Sequence, residues 1–339
     1  VSLIINGKAR ASAETVRAVR KAMAELNYVP RPRNRRPGRN ATCGKGLRTG
    51  RIGVVFLETL PHQLRAPFHA DLLSGMQRAL YEQGVGLILS SVPPDTPAPA
   101  DLHAGSIDGA IVVNASYSER SARSLAPLPI VSVLGPAVDW CDCVTVDNEG
   151  AGLLAARYLL GLGHTHCATI GDRTHAALVH RCGAFERAVR LKGGSALLLE
   201  GDELHLVTPQ RHEGDREKLA AILDRLFAAK PRPTALFVPT DMLTATVYTL
   251  LQEHGIRPGT DICVLSCNNE KPILGALYPR PPVVDLHADI IGIRAVEQVL
   301  RRIRQPDEPT STLLVTPSLL DCSGTVIDVR NASRQAGAA

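Results

Sequence analysis

Eight cysteines, at positions 43, 141, 143, 167, 182, 263, 267 and 322, are the first residues of this 339-residue chain that could do strong chemistry. A structural zinc site wants four ligands, with Cys-x2-Cys pairs or histidines at short spacing. Cys141-x-Cys143 and Cys263-x3-Cys267 bring no His partner at that spacing, so the pattern predicts mostly buried free thiols, with no metal site and no disulfide framework. Gly44-Lys45-Gly46 invites comparison with a phosphate-binding loop. Its preceding glycine is displaced by one position, however, and Gly46 stands where a Ser or Thr would hold magnesium. Gly161-Leu-Gly163-His164 follows a helical pattern, whereas a dinucleotide loop follows a strand, so it reads as a helix end and turn. The chain has no GxSxG elbow, no HExxH pair and no carboxylate pair spaced for acid–base work, and nothing in it supports an enzyme or implies a cofactor.

Charge carries more information. Up to Arg51 there are thirteen Lys and Arg against Glu14 and Glu25, a net of +11; the whole chain is +5, so the remainder is −6. A basic arm on a mildly acidic body is the asymmetry expected when a short segment meets a polyanion and a larger one does something else.

These groups need elements to hold them. With 45% apolar and 21% charged residues, the chain has material for a real core, which excludes both a small disulfide module and disorder throughout. Its apolar runs fall short of the ~20 residues of a membrane span. The first residues lack a basic and then apolar leader, so a cytoplasmic protein is expected. Ser12 as N-cap and Val16, Val19, Met23 and Leu26 at helical spacing predict a helix over 12–27. Over 30–50, three prolines and four glycines without an apolar period predict a linker. Beyond it, predicted strands at 52–56, 85–90, 108–114, 130–134, 144–146, 166–170, 196–199, 235–238, 262–266, 283–286 and 312–317 alternate with helices at 68–83, 149–162, 181–192, 214–229, 241–254 and 289–304. That rhythm predicts an α/β fold of βαβ units, and so many strands fit two parallel sheets better than one.

Several segments carry a resemblance. Val1-Ser-Leu-Ile-Ile-Asn-Gly-Lys8, Ser12-Ala-Glu-Thr-Val-Arg17 and Ala22-Met-Ala-Glu-Leu-Asn-Tyr-Val-Pro30 resemble the latter two thirds of the helix-turn-helix headpiece of the lac repressor/galactose repressor family. Ile52-Gly-Val-Val, Ala66-Pro-Phe-His-Ala, Ile107-Asp-Gly-Ala-Ile-Val, Val146-Asp-Asn-Glu-Gly, Arg181-Cys-Gly-Ala-Phe185, Ala235-Leu-Phe-Val-Pro-Thr-Asp241 and Ile256-Arg-Pro-Gly-Thr-Asp-Ile262 continue it in family order over nearly the whole chain. The resemblance implies two Rossmann-like lobes, like a type I periplasmic sugar-binding protein, with three crossovers and an effector cleft between them. It also implies a homodimer on a double-stranded DNA operator, acting as a repressor governed by a sugar or sugar derivative. The implied parts are a partial all-α headpiece at 1–29, a hinge linker at 30–50, an effector and dimerisation core at 51–330 and a tail at 331–339. The first residue aligns inside the family's recognition helix, so the headpiece is expected to be N-terminally truncated. The other reading of the same chain is a cytoplasmic ligand sensor without a working headpiece.

By the same alignment, Ser2, Asn6 and Lys8 match positions that meet the DNA backbone, while Leu3 replaces the family's usual arginine. The family's hinge helix is replaced by Arg31-Pro-Arg-Asn-Arg-Arg-Pro-Gly-Arg39, which proline bars from regular helix. Arg31, Arg33, Arg35, Arg36 and Arg39 suit either a narrow minor groove or a plain spacer. In the cleft, Arg181 aligns with the effector-clamping arginine, and Thr240 and Asp241 with polar contacts. Asn268 and Asn269 replace a frequent acidic pair, removing charge but keeping donors and acceptors. Phe68 matches an aromatic that stacks on a ligand ring or serves the core, and Asp147 lies at the cleft edge or caps the next helix. Pro93-Pro-Asp-Thr-Pro-Ala-Pro99 replaces much of a family helix. If Arg33, Arg35, Arg36 and Arg39 meet phosphates, changing all four to alanine should weaken operator binding and flatten the slope of log affinity against log salt by about 3 to 4, measured by DNA titration at several salt concentrations.

Overall fold

The computed structural model describes residues 12–25, 46–57, 66–92, 102, 105–113, 125, 127–135, 138–173, 175–200 and 212–328. Ser2, Asn6, Lys8, Arg31, Arg33, Arg35, Arg36, Arg39 and the 93–99 segment lie outside the described residues.

Helix α1 (Ala13–Glu25) starts as its sequence predicts: the Ser12 Oγ accepts the Thr15 N–H at 3.2 Å, a side-chain N-cap. Residues 46–50 then lead into β1 (Arg51–Leu57), and here one carboxyl group organises the chain. Asp108 accepts the backbone N–H groups of Arg48 (2.9 Å), Thr49 (2.9 Å) and Gly50 (2.7 Å). Burial would raise its pKa, but the N–H groups of Thr49, Arg48 and Gly50 bring it below the usual carboxyl value. Leu47 is buried in the core, and Gly46, at φ +107°, lies against Ile303.

The first sheet gathers β1, β2 (Gly86–Val92), β3 (Gly109–Val113), β4 (Ile130–Val133), β5 (Asp142–Val146) and β11 (Thr312–Val315) in the order β11-β5-β4-β3-β1-β2, all parallel. The second gathers β6 (His166–Gly171), β7 (Ser195–Glu200), β8 (Ala235–Phe237), β9 (Cys263–Asn268), β10 (Val283–Asp285) and β12 (Ser318–Leu320) in the order β12-β10-β9-β8-β6-β7. Only β12 runs antiparallel. Ile52, Val54 and Val55, and all of Ala110 to Val112, are inaccessible to solvent, which is why these strands read as continuous apolar runs rather than alternating ones.

Helices cover both sheets: α2 (Pro67–Glu82), α3 (Asn148–Gly161), α4 (Ala176–Leu191), α5 (His212–Ala228), α6 (Asp241–Glu253), the short α7 (Lys271–Leu274) and α8 (Ala288–Arg304). The chain passes between sheets three times, from β5 into α3, from β10 into α8 and from β11 into β12. One apolar cluster, including Ile52, Leu72 and Ile291 with Phe185 and Phe237, runs from lobe to lobe.

Helix α4 begins five residues before the predicted start at 181. Leu178 and Arg181 share a buried face with Cys182, Phe185 and Val189, and the helix begins without a side-chain cap that would have marked it. The predicted strand 312–317 ends early, at Val315 of β11, and the chain goes straight on into an unpredicted strand, β12, on the other sheet. Seven cysteines are described, all free: five buried, Cys263 half-buried and Cys322 exposed. Burial pushes the thiols of Cys167, Cys182 and Cys263 up to about 11 and that of Cys267 to about 12, so they remain protonated, inert packing groups.

Two features brace the first lobe. Arg302, near the end of α8, forms a bidentate pair with the fully buried Asp142 (Nε 2.7 Å, Nη2 3.0 Å), whose Oδ1 also accepts the Ser311 N–H, pinning the entry of β11 beside β5. Helices α2 and α8 cross where glycines allow backbone contact: a Cβ on Gly75 would lie 2.0 Å from the Asp289 carbonyl oxygen, and one on Gly292 2.2 Å from that of Leu72. Gly75→Ala should therefore force the helices apart and lower the urea midpoint, with a loss of about 1–3 kcal/mol or more.

Candidate functional site

In open parallel sheets, ligands bind outside the carboxyl ends of the strands. There, in the second lobe, one guanidinium draws several strand ends together. Arg181 is buried although charged, at 6% exposure. Its Nε donates to Asn148 Oδ1 at 2.8 Å, and its Nη1 to the Pro239 carbonyl at 2.8 Å and Asn268 Oδ1 at 3.1 Å. Asn148 opens α3 just past the first crossover, Pro239 follows β8 and Asn268 ends β9. Every acceptor in this set is neutral, so the site offers a positive centre held by dipoles.

The chain then turns sharply. Asn268 and Asn269 have φ of 116° and 67°, a left-handed region that Asn tolerates better than most residues. The turn sends Asn269 Nδ2 to Asp285 Oδ2 at 2.9 Å. Asp285 also accepts the N–H of His287 at 2.8 Å, so the second crossover is tied to the site. The Asn269 Oδ1 is buried without a partner among the described residues, as are the Glu270 Oε2 and His175 Nδ1. Such atoms are costly to bury and suit a site completed by ligand or water. Burial first, and then the charge of Arg181, hold the His175 imidazole below its ordinary pKa.

The other aligned residues take supporting places. Thr240 caps α6, its Oγ1 accepting the Leu243 N–H at 3.3 Å. Asp241 lies fully buried beneath the asparagine turn, bonded to the Ser266 hydroxyl and accepting the Glu270 N–H at 2.5 Å. Asp147 caps α3 through the Gly150 N–H at 2.8 Å, one of its two expected places. Phe68 is half-buried at the start of α2, on the first lobe, and its N–H meets Glu270 of the second at 3.1 Å. The structure thus brings Arg181 and Asn268 into contact, sets Asn269 beside them, and places Thr240 and Asp241 behind. Asn148, His175, Glu270, Asp285 and His287 join the site without having been singled out in the sequence, although the place of Asn148 beside Asp147 could have marked it.

Two parallel-sheet lobes with three crossovers and polar groups at the facing strand ends define a two-lobed ligand-binding core of the periplasmic-binding-protein type. Residues 156–321 match the periplasmic binding protein-like domain family. The HTH-type transcriptional repressor PurR of Vibrio atlanticus (strain LGP32) is 28% identical over 337 residues, covering 95% of this chain and 93% of its own. Among solved structures, a complex of the transcriptional regulator CelR with cellobiose superposes with a TM-score of 0.65 at 23% identity, covering 94% of this chain and 93% of that one. A LacI family transcriptional regulator from Enterococcus faecium with bound ribose gives 0.64 at 20%, covering 79% and 96%. The chain is thus similar over nearly its whole length to transcriptional repressors, and it shares the fold of solved LacI-family transcription regulators. Among the described residues, no helix is long and apolar enough to cross a membrane.

Burial pushes the Asp241 carboxyl up to about 7, against the hydrogen bonds from Ser266 and the Glu270 N–H. With the folded value above the ordinary 3.8, its stabilising contribution is full below about pH 4 and is lost as pH rises through about 7. Between pH 5 and 7, denaturation of the wild type should therefore show a downward slope of about 1.4 kcal/mol per pH unit from this group. Asp241→Asn should lack that part of the slope when urea midpoints are compared across the same range.

Proposed function

We propose that the chain is a cytoplasmic, homodimeric repressor whose operator affinity is set by a sugar or sugar derivative held between the lobes. The observation that carries this reading is the set of neutral partners around Arg181: Asn148, Asn268 and the Pro239 carbonyl, with the amide of Asn269 adjacent. Amides both donate and accept, and a guanidinium fork beside them matches vicinal hydroxyls. A formal anion is not required to balance the site, because carbonyl dipoles already face the guanidinium. The cellobiose and ribose named for two of the similar structures support the same ligand class.

In this reading, residues 1–29 and 30–50 form the DNA-contacting headpiece part and linker, 51–330 the effector and dimerisation core, and 331–339 a tail. Ser2, Asn6, Lys8 and the arginines at 31, 33, 35, 36 and 39 meet the operator. Phe68, whose N–H meets Glu270 of the other lobe, supplies the aromatic face on which a sugar ring stacks.

Calorimetric titration of ribose, cellobiose and a wider set of mono- and disaccharides, with nucleobases as the contrasting class, tests the ligand. At least one saccharide should bind, and Arg181→Lys should weaken it by about ten- to a hundred-fold, the loss of a charged hydrogen-bonded fork. Binding of nucleobases alone would replace the sugar reading. A parallel titration of promoter DNA should show affinity altered by the bound saccharide; absence of any specific DNA binding would favour a ligand sensor without a working headpiece.

A further inference from the structure

The start of α2 lacks a cap of its own. Ala66, at the N-cap position, has no side-chain acceptor, and Pro67 has no N–H to offer. The next two free amides, His69 and Ala70, turn back to the Ala66 carbonyl at 2.9 and 3.3 Å. That leaves the Phe68 N–H at the positive end of a sixteen-residue helix, and it is met by the Glu270 Oε1 at 3.1 Å. Glu270 belongs to the opposite lobe, 202 positions along the chain. It is held from behind, since its own N–H is bonded to Asp241, and the two positive-φ asparagines before it turn it towards the first lobe. The side chain is almost wholly buried, at 2% exposure, with the second carboxyl oxygen unpartnered.

We propose that Glu270 is a built-in interlobe helix cap, which holds the two lobes together without ligand by supplying from one lobe the N-terminal cap that α2 of the other lobe lacks. A cap of this kind joins a hydrogen bond to a favourable charge–dipole contact, and both are lost when the lobes separate. The chain thus supplies its own closing contact between the lobes. An incoming effector meets the Phe68 N–H already taken and has to work around Glu270 or displace it with an acceptor of its own. This role is independent of which molecule the cleft binds.

Two variants approach the contact from opposite sides. Glu270→Ala removes the acceptor. Ala66→Asp leaves Glu270 intact but gives α2 a local cap able to take the Phe68 N–H, which should preserve or raise thermal stability while freeing the lobes. Lobe spacing is read in the ligand-free full chain by pulsed electron resonance between spin labels introduced at Tyr81→Cys and Leu191→Cys, one exposed position per lobe, with Cys43→Ser and Cys322→Ser removing competing thiols. Both variants should shift the population towards longer separations, by about ten-fold in the open-to-closed ratio. Separations unchanged from the parent in both variants overturn the proposal. Opening in Glu270→Ala alone also overturns it, because Glu270 would then be a prop for its own loop rather than a cap for α2.

Discussion

A guanidinium taken out of water has to find its acceptors inside the protein, and that requirement at Arg181 organises the face of the second lobe. Its fork spans the start of α3, the loop after β8 and the end of β9. Losing any one of these acceptors would leave a buried charge short of a partner, a penalty of several kcal/mol. The strand ends are thus held in register by a side chain rather than by the sheet alone. Neutral carbonyl and amide acceptors hold the guanidinium, while the Glu270 carboxyl lies within reach of its charge.

The scaffold around that charge was legible in the sequence to the extent that it rests on local signals. Buried parallel strands need unbroken apolar runs, and those at 52–56, 166–170 and 235–238 correspond to β1, β6 and β8 within a few residues. Helix α1 announced itself through Ser12, and Asp147 took one of its two expected places as the cap of α3. The single-turn α7 is too short to show a helical period, and β12 follows β11 so closely that it does not stand out as a separate run; both went unread. The early start of α4 was hidden for a different reason: no Ser, Thr, Asp or Asn caps it.

The site divides along the same line. Arg181 stood out because the motif that it opens resembles a family's, and Asn268 and Asn269 because they stand where that family often has an acidic pair. Glu270, His175 and the Asp285/His287 corner did not, since what they do exists only once distant segments meet. The Phe68 amide and Glu270 carboxyl lie 202 residues apart. Asn269 reaches the second crossover through Asp285, a contact set by the turn between them and not by any periodic pattern. Two buried carboxyl groups, Asp241 and Glu270, both raised by burial, sit behind and beside the asparagine turn. Apolar desolvation on that scale depends on the packed lobe around them, and composition alone gives no hint of it.

The Asp108 carboxyl, gripping three successive amides at the end of the basic segment, has a consequence for how the two halves of the molecule can vary. It fixes a point of departure. Upstream of Gly46, each inserted or deleted residue changes the reach of the arm by at most about 3.5 Å while leaving its origin on the core untouched. Because these bonds go to backbone amides, side chains at 48–50 can change without loosening the tie, and strands elsewhere in the lobes can be retuned without moving it. A single buried acid thus acts as a mechanical ground where the chain enters the first lobe.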